Sequence, residues 1–234
     1  MTSPPFRKGA YYNIEGVKYP SVTTILRVIN KPALITWLQK RAAEKALEDP
    51  AVYDTPQKVM AALELDRDSA GQRGSTAHAV AHEYVRFLKK EITEDDLRPY
   101  QDDPYYPAIV SFFETLKPEI IASELTVFNR EHVYAGTLDL LATMQDGKRY
   151  VVDWKTAKAV WPEYSLQIEA YRQCDGAIVP GDPSTLEKWD GPLAEAGAVV
   201  LLKPNGTFQF HKVPADFEVF LAALALYRWQ SNDY

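Results

Sequence analysis

The chain has 234 residues, of which 46% are apolar and 25% charged, with 26 basic and 32 acidic side chains and a formal net charge of -6. That is the composition of a globular protein long enough to bury a substantial core, and it excludes a disordered, collagen-like or fibrous chain. The single cysteine, Cys174, excludes an internal disulfide and a four-cysteine zinc or iron–sulfur site.

The N-terminal MTSPPFRKGAYY has no apolar stretch, so no secretory signal is expected. Residues 10–14 and 17–19 flank Glu15-Gly16 and read as a short hairpin. Ser21-Val22-Thr23-Thr24 leads into a helix. A second begins near Pro32, with Leu34, Trp37, Leu38 and Arg41 at helical spacing, and breaks at Asp49-Pro50. Thr55-Pro56 starts a helix through about residue 65. Another runs from about 68 to 89 with Ala77, Val80, Ala81, Tyr84, Val85 and Leu88 as its buried face. After a polar stretch, 91–104, a helix extends to about 116.

The pattern then changes. Strands are expected at 120–129, 133–144 and 149–156, the last two joined by an Asp146-Gly147 hairpin turn. An amphipathic helix follows over 163–175, then loop-like sequence over 176–196. A hairpin over 198–202 and 207–213 turns on Pro204-Asn205-Gly206, and a terminal helix spans about 215–229. No repeat is present. The longest apolar run, residues 219–227, is well short of the ~20 residues of a membrane span. The expected architecture is α/β, one mixed sheet flanked by helices with an N-terminal helical extension. The whole of 1–234 is expected as a single domain, mostly helical over 1–117 and αβ over 118–234.

The acidic total argues against a nucleic-acid partner, but it hides a gradient. Residues 1–47 carry eight basic side chains (Arg7, Lys8, Lys18, Arg27, Lys31, Lys40, Arg41 and Lys45) against two acids, Glu15 and Glu44. Such a segment is either a solvated face or a positive entrance for a polyanion.

Chemistry concentrates downstream, in Gly136-Thr137-Leu138-Asp139, Asp153-Trp154-Lys155, and Gln167 with Tyr171. On a strand, Asp153 and Lys155 project from one face about 7 Å apart while Trp154 faces the other way. Asp139, on the adjacent strand, can approach Asp153. Two neighbouring carboxylates repel unless a cation lies between them, and Mg²⁺ or Mn²⁺ takes oxygen ligands. Gln167 and Tyr171 share a helix face, as do His78 and His82. Taken singly, each pattern also fits an ordinary surface pair. The order His78-Ala79-Val80-Ala81-His82-Glu83 lacks the glutamate placement of a zinc protease, and residues 71–76 lack the lysine of a phosphate loop, so no nucleotide cofactor is expected.

Gly74-x-x-x-His78, a strand glutamate at Glu124, Gly136-x-x-Asp139, Asp153-x-Lys155 and Gln167-x-x-x-Tyr171, in that order, resemble the RecB-type nuclease branch of the PD-(D/E)XK superfamily. The run Pro20–Leu26 and the helix with Leu34 and Trp37 resemble the mitochondrial genome maintenance exonuclease group and its phage relatives. The resemblance covers roughly residues 20–175. It implies a restriction-endonuclease-like αβββαβ core and Mg²⁺- or Mn²⁺-dependent hydrolysis of DNA, by an exonuclease acting on single-stranded or free ends, in recombination, repair or replication. It implies that His78, Asp139, Asp153 and the Trp154 carbonyl hold the metal, that Lys155 positions or polarises the attacking water, and that Gln167 and Tyr171 fix the lysine and the scissile phosphate. Glu124, and His82 with Glu83, would surround the metal through water or through its direct ligands. Many relatives carry an acid where this chain has His82, which leaves a second metal site open. The N-terminal helices would form a DNA channel, with contacts from Trp37, Lys40, Arg41, Lys45 and Arg73, and with Tyr11 and Tyr12 able to stack bases. An iron–sulfur cluster of the kind some relatives bear is excluded by the lone cysteine. The expected setting is cytoplasmic, in a bacterial or phage-encoded protein, without a membrane and with recombination or replication proteins as possible partners. A silent DNA-binding module, a subunit active only within a larger complex, and an endonuclease are the alternatives.

Overall fold

The computed structural model describes residues 6–8, 10–178, 185–188, 190–214 and 216–231. Two compact units are present: residues 1–28 with 77–234, and residues 29–76.

The first unit opens with a three-stranded antiparallel sheet, β1 (Phe6–Lys8), β2 (Tyr11–Ile14) and β3 (Val17–Pro20). Glu15-Gly16 turns the β2–β3 hairpin with both residues at positive φ. Tyr12, Ile14 and Tyr19 bury against Phe128 and Ala135 of the main sheet. Ser21 caps the short α1 (Val22–Ile25) by accepting from Thr24 N–H at 3.1 Å. The unit also contains α4 (Glu94–Leu97), α5 (Tyr106–Leu116), α6 (Pro162–Arg172) and α7 (Phe217–Ser231). Its seven-stranded mixed sheet comprises β4 (Glu119–Asn129), β5 (Tyr134–Thr143), β6 (Arg149–Lys155), β7 (Gly176–Ile178), β8 (Leu186–Lys188), β9 (Ala196–Leu202) and β10 (Phe208–Lys212), in the order β10-β9-β6-β5-β4-β7-β8. Among the described strands of this sheet, β6 and β9 are the one pair that runs in parallel. The chain is therefore α/β, with one mixed sheet flanked by helices.

The period-2 pattern of β6 places Tyr150, Val152 and Trp154 in the main core, beside Phe112 and Phe113 of α5 and Tyr84 and Val85 of α3 (Pro56–Leu88). Trp154 meets the Phe112 ring edge-on at 4.8 Å between centroids. Asp153 and Lys155 consequently leave the strand on the other side.

The second unit holds α2 (Pro32–Glu48) and residues 56–76 of α3 (Pro56–Leu88). None of the α2 side chains is buried.

Three expectations need correction. The two helices foreseen over 55–65 and 68–89 are one continuous α3. Nothing at residues 65–68 breaks a helix, and Gly71 and Gly74 each cost only about 1 kcal/mol in its interior. The loop-like stretch 176–196 contributes β7 and β8 to the sheet, strands too short to show alternation; residues 179–184 and 189 lie outside those described. The strand β1 was not foreseen. The expected start of the last helix, Ala215, also lies outside the described residues, and α7 is seen from Phe217. Among the described residues no helix is long and apolar enough to cross a membrane.

Candidate active site

The site lies where β5 and β6 part. Their ladder pairs Thr143 with Arg149 and ends at Leu140 with Val152. In the same register Asp139 and Asp153 would be the next pair. There the backbone ladder gives way to a side chain: Trp154 N–H donates to Asp139 Oδ2 at 2.8 Å. The other Asp139 oxygen, Oδ1, lies 3.1 Å from His78 Nδ1 of α3. On the far side of β5, the chain of β4 carries Glu124 in the left-handed region, φ 52°. That conformation is unusual for a non-glycine residue, most of all within a strand. It follows a register shift between Ile120 and Ala122. Ligand atoms of His78, Glu124 and Asp139 all lie within 4.8 Å of one another.

Asp153 is 1% exposed. Its Oδ1 accepts from Gln167 Nε2 of α6 at 3.1 Å. The Lys155 ammonium pairs with Oδ2 at 2.5 Å, but no hydrogen bond of ordinary geometry reaches that buried oxygen. Gln167 Nε2 also donates to the Tyr171 hydroxyl at 3.3 Å. Tyr171 is seated directly on Gly136: a Cβ there would lie 2.3 Å from the ring. Gly136 is thus required by close packing rather than by turn geometry.

The electrostatics split the two carboxyls. Burial disfavours the charge on both. At Asp139 the His78 charge and hydrogen bond overcome this, with help from Lys155 and the Trp154 N–H, and the pKa is held down. At Asp153, burial and the Asp139 charge outweigh Lys155, and the pKa is pushed up. Like-charged neighbours separate in this way. Burial also opposes charge on His78, but Asp139 wins and raises it to about 9. Lys155 stays cationic despite burial because Asp153 and Asp139 face it. Burial and then the Asp139 charge raise Glu124 to about 7, although much of its surface remains open to solvent.

The expected residues fall into distinct groups. His78, Asp139 and Glu124 converge on one point. Asp153, Lys155, Gln167 and Tyr171 form the adjoining hydrogen-bonded set. Trp154 contributes its N–H to Asp139 and its ring to the core. His82 Nδ1 meets Ser123 Oγ at 2.8 Å, next to Glu124, and burial lowers its pKa. Glu83 is occupied by Arg86 at 2.8 Å.

In the second unit the cations are largely neutralised locally. Lys40 pairs with Glu44 at 3.8 Å, Arg41 with Glu44 and Asp66 at 3.3 Å each, and Lys45 with Glu48 at 3.7 Å. Trp37 is 46% exposed, and Arg73 is exposed without an ion pair among the described residues. Tyr12 is buried, with its hydroxyl 3.0 Å from that of Thr137, so its ring is not free to stack a base; Tyr11 is half-buried, with its hydroxyl 2.8 Å from that of Tyr227.

Sequence reasoning missed Tyr164, whose ring centroid lies 5.0 Å from Lys155 Nζ. The signal was available: Tyr164, Gln167 and Tyr171 share one face of a helix at i, i+3 and i+7. It also missed Ser123, whose contact with His82 has no sequence signature.

A donor set of one imidazole and two carboxylates within 4.8 Å suits a divalent ion. Metal–oxygen bonds near 2.1 Å place opposite ligands about 4 Å apart, close to the spread of these atoms.

No family model matches the chain, and no curated protein matches it. Among solved structures it is similar to the protein designated SSO0001, at 14% identity and a TM-score of 0.33, over 66% of this chain and 73% of that one.

Proposed function

We propose that this protein is a divalent-metal-dependent DNA exonuclease that hydrolyses phosphodiester bonds at single-stranded ends. The observation that carries the reading is the convergence of His78, Glu124 and Asp139 beside the buried Asp153–Lys155 pair, at the fork between two strands. The order of motifs resembling RecB-type nucleases supports it.

His78, Glu124 and Asp139 would hold Mg²⁺ or Mn²⁺, with Asp153 adjoining. When bound, the ion would polarise the scissile phosphate and offset the charge that builds on its oxygens. The chain's own residues do the rest. Lys155 is anchored by Asp153. It orients the attacking water and places a second positive charge against the phosphoryl oxygens. Gln167 holds Asp153, and Tyr171 holds Gln167, so the lysine's anchor cannot turn away. The fixed geometry lowers the ordering cost of the reaction. The product would carry a 5′-phosphate. DNA is the partner, and proteins of recombination or replication are the expected company.

A panel of end-labelled DNAs, single- and double-stranded, linear and circular, tests the assignment in Mg²⁺ or Mn²⁺. The reading predicts metal-dependent mononucleotide or short-oligonucleotide release from linear single strands, and no cutting of a closed single-stranded circle. Cutting of the circle would make the enzyme an endonuclease, and no cleavage of any substrate would reject the hydrolase reading.

A further inference from the structure

Lys155 is followed by a six-residue connection, Thr156-Ala157-Lys158-Ala159-Val160-Trp161, before α6 begins at Pro162. It belongs to neither the metal-ligand set nor the core, yet its backbone is held in place. Lys203 reaches from the end of β9 to the carbonyls of Ala157 and Lys158, at 3.4 and 3.5 Å. At its other end Trp161 N-caps α6: Tyr164 N–H donates to the Trp161 carbonyl at 3.0 Å, and the Ser165 hydroxyl donates to the Pro162 carbonyl at 2.6 Å. On this connection Lys158, Ala159 and Trp161 are exposed, and two of them carry large side chains. Trp161 is 41% exposed and Lys158 is exposed.

Trp161 enters α6 in extended backbone, φ -98° and ψ 147°, and it is tied to Tyr164 three residues on through that backbone hydrogen bond. Tyr164 in turn covers Lys155, with 5.0 Å between ring centroid and Nζ. The residue that carries the exposed indole is therefore hydrogen-bonded through its backbone to the residue whose ring borders the lysine of the site. An exposed apolar ring on the same short connection as an exposed lysine matches a ligand that is flat and apolar on one part and anionic on another. An unpaired nucleotide has that chemistry, and a base-paired one does not offer its face.

Resting on the nuclease reading above, we propose that Trp161 is a base-stacking subsite for a nucleotide flanking the scissile phosphate, with Lys158 against the neighbouring phosphate. The first unit then selects single strands by itself. Stacking is sequence-tolerant because every base has a π-face, so the subsite favours unpaired DNA without favouring a sequence.

The test is equilibrium binding of a fluorescein-labelled single-stranded oligothymidylate and of an abasic strand of equal length, in EDTA so that binding is read without cleavage. Wild type, Trp161→Ala, Trp161→Phe and the exposed-tryptophan control Trp229→Ala on α7 are compared, each checked for an unchanged melting temperature. Losing one stacked base weakens binding about tenfold. Trp161→Ala is expected to lose about that factor for oligothymidylate and nothing for the abasic strand. Trp161→Phe should recover most of it, and Trp229→Ala should match wild type. Oligothymidylate affinity unchanged in Trp161→Ala, with wild type still cleaving DNA, overturns the subsite and leaves the nuclease reading in place. A wild-type protein that binds neither strand in EDTA overturns the subsite, and only one that in addition cleaves no DNA in Mn²⁺ overturns both. Equal losses for both strands overturn stacking.

Discussion

Gly136→Ala would place a methyl carbon 2.3 Å from Cε1 of Tyr171, 3.0 Å from Cζ and 3.1 Å from the hydroxyl oxygen. Carbon atoms in contact prefer about 3.5–4.0 Å, so the ring must retreat by more than about 1 Å. It has little room to do so. Tyr171 is 3% exposed, and its hydroxyl is tied through Gln167 to Asp153. Overpacking costs about 1–3 kcal/mol, and a ring wedged between helix and strand belongs at the upper end. For a chain of this size each kcal/mol lowers Tm by about 2–4 °C, so a fall of about 9 °C is expected. Tyr171→Ala removes the obstacle. In the double variant the methyl group fits, and a double-mutant cycle by urea denaturation should return a coupling of at least about 1 kcal/mol. Tyr171→Phe keeps the ring and should give no such relief. A Gly136→Ala protein within about 0.5 kcal/mol of wild type, or an additive cycle, would refute the packing of α6 on β5 at this point.

Other perturbations separate stability from function. Glu124→Gly removes a left-handed glutamate, so the protein should gain up to about 1 kcal/mol in urea denaturation, while calorimetry shows weaker Mn²⁺ binding. In metal-free protein His78 has a folded pKa of about 9 against the ordinary 6.5. Its stabilising contribution is complete below pH 6.5 and is lost as pH rises toward 9. Denaturation in EDTA should show that loss, and His78→Gln should remove it. Metal binding needs neutral His78, so Mn²⁺ affinity should rise through the same window and release a proton. Joint replacement of Lys40, Arg41 and Lys45 by glutamine should lower the salt slope of single-strand binding by only about 1. Three unpaired cations would give about 2, but Glu44, Asp66 and Glu48 already neutralise these in part.

Elements with strong local signals were legible in the sequence. The Asp146-Gly147 turn, the Ser21 cap and Pro32 in the first turn of α2 act through their immediate neighbours. Alternation along β6 placed Trp154 in the core and Asp153 and Lys155 opposite it. What sequence could not supply was set by long-range packing. Nothing local announces that β5 and β6 part at Asp139, and nothing local turns Glu124 into the left-handed region toward His78. Tyr12 reads as available for a base in the sequence, but the N-terminal sheet packs on the main sheet and buries its ring. Trp37 showed the reverse: an apolar helix position that the structure leaves in solvent. Net charge was equally ambiguous, because Asp139 and Asp153 are part of the acidic total and also the groups a cation would offset.

The most direct test is the rate at which purified protein degrades a 5′-labelled single-stranded oligonucleotide in Mn²⁺, measured for wild type, Asp139→Asn and Lys155→Ala at matched folding. The account predicts cleavage that stops with EDTA and returns with Mn²⁺, and a fall of at least about 10²–10³-fold in both variants. Cleavage by either variant at the wild-type rate, or cleavage by wild type that persists in EDTA, would contradict it.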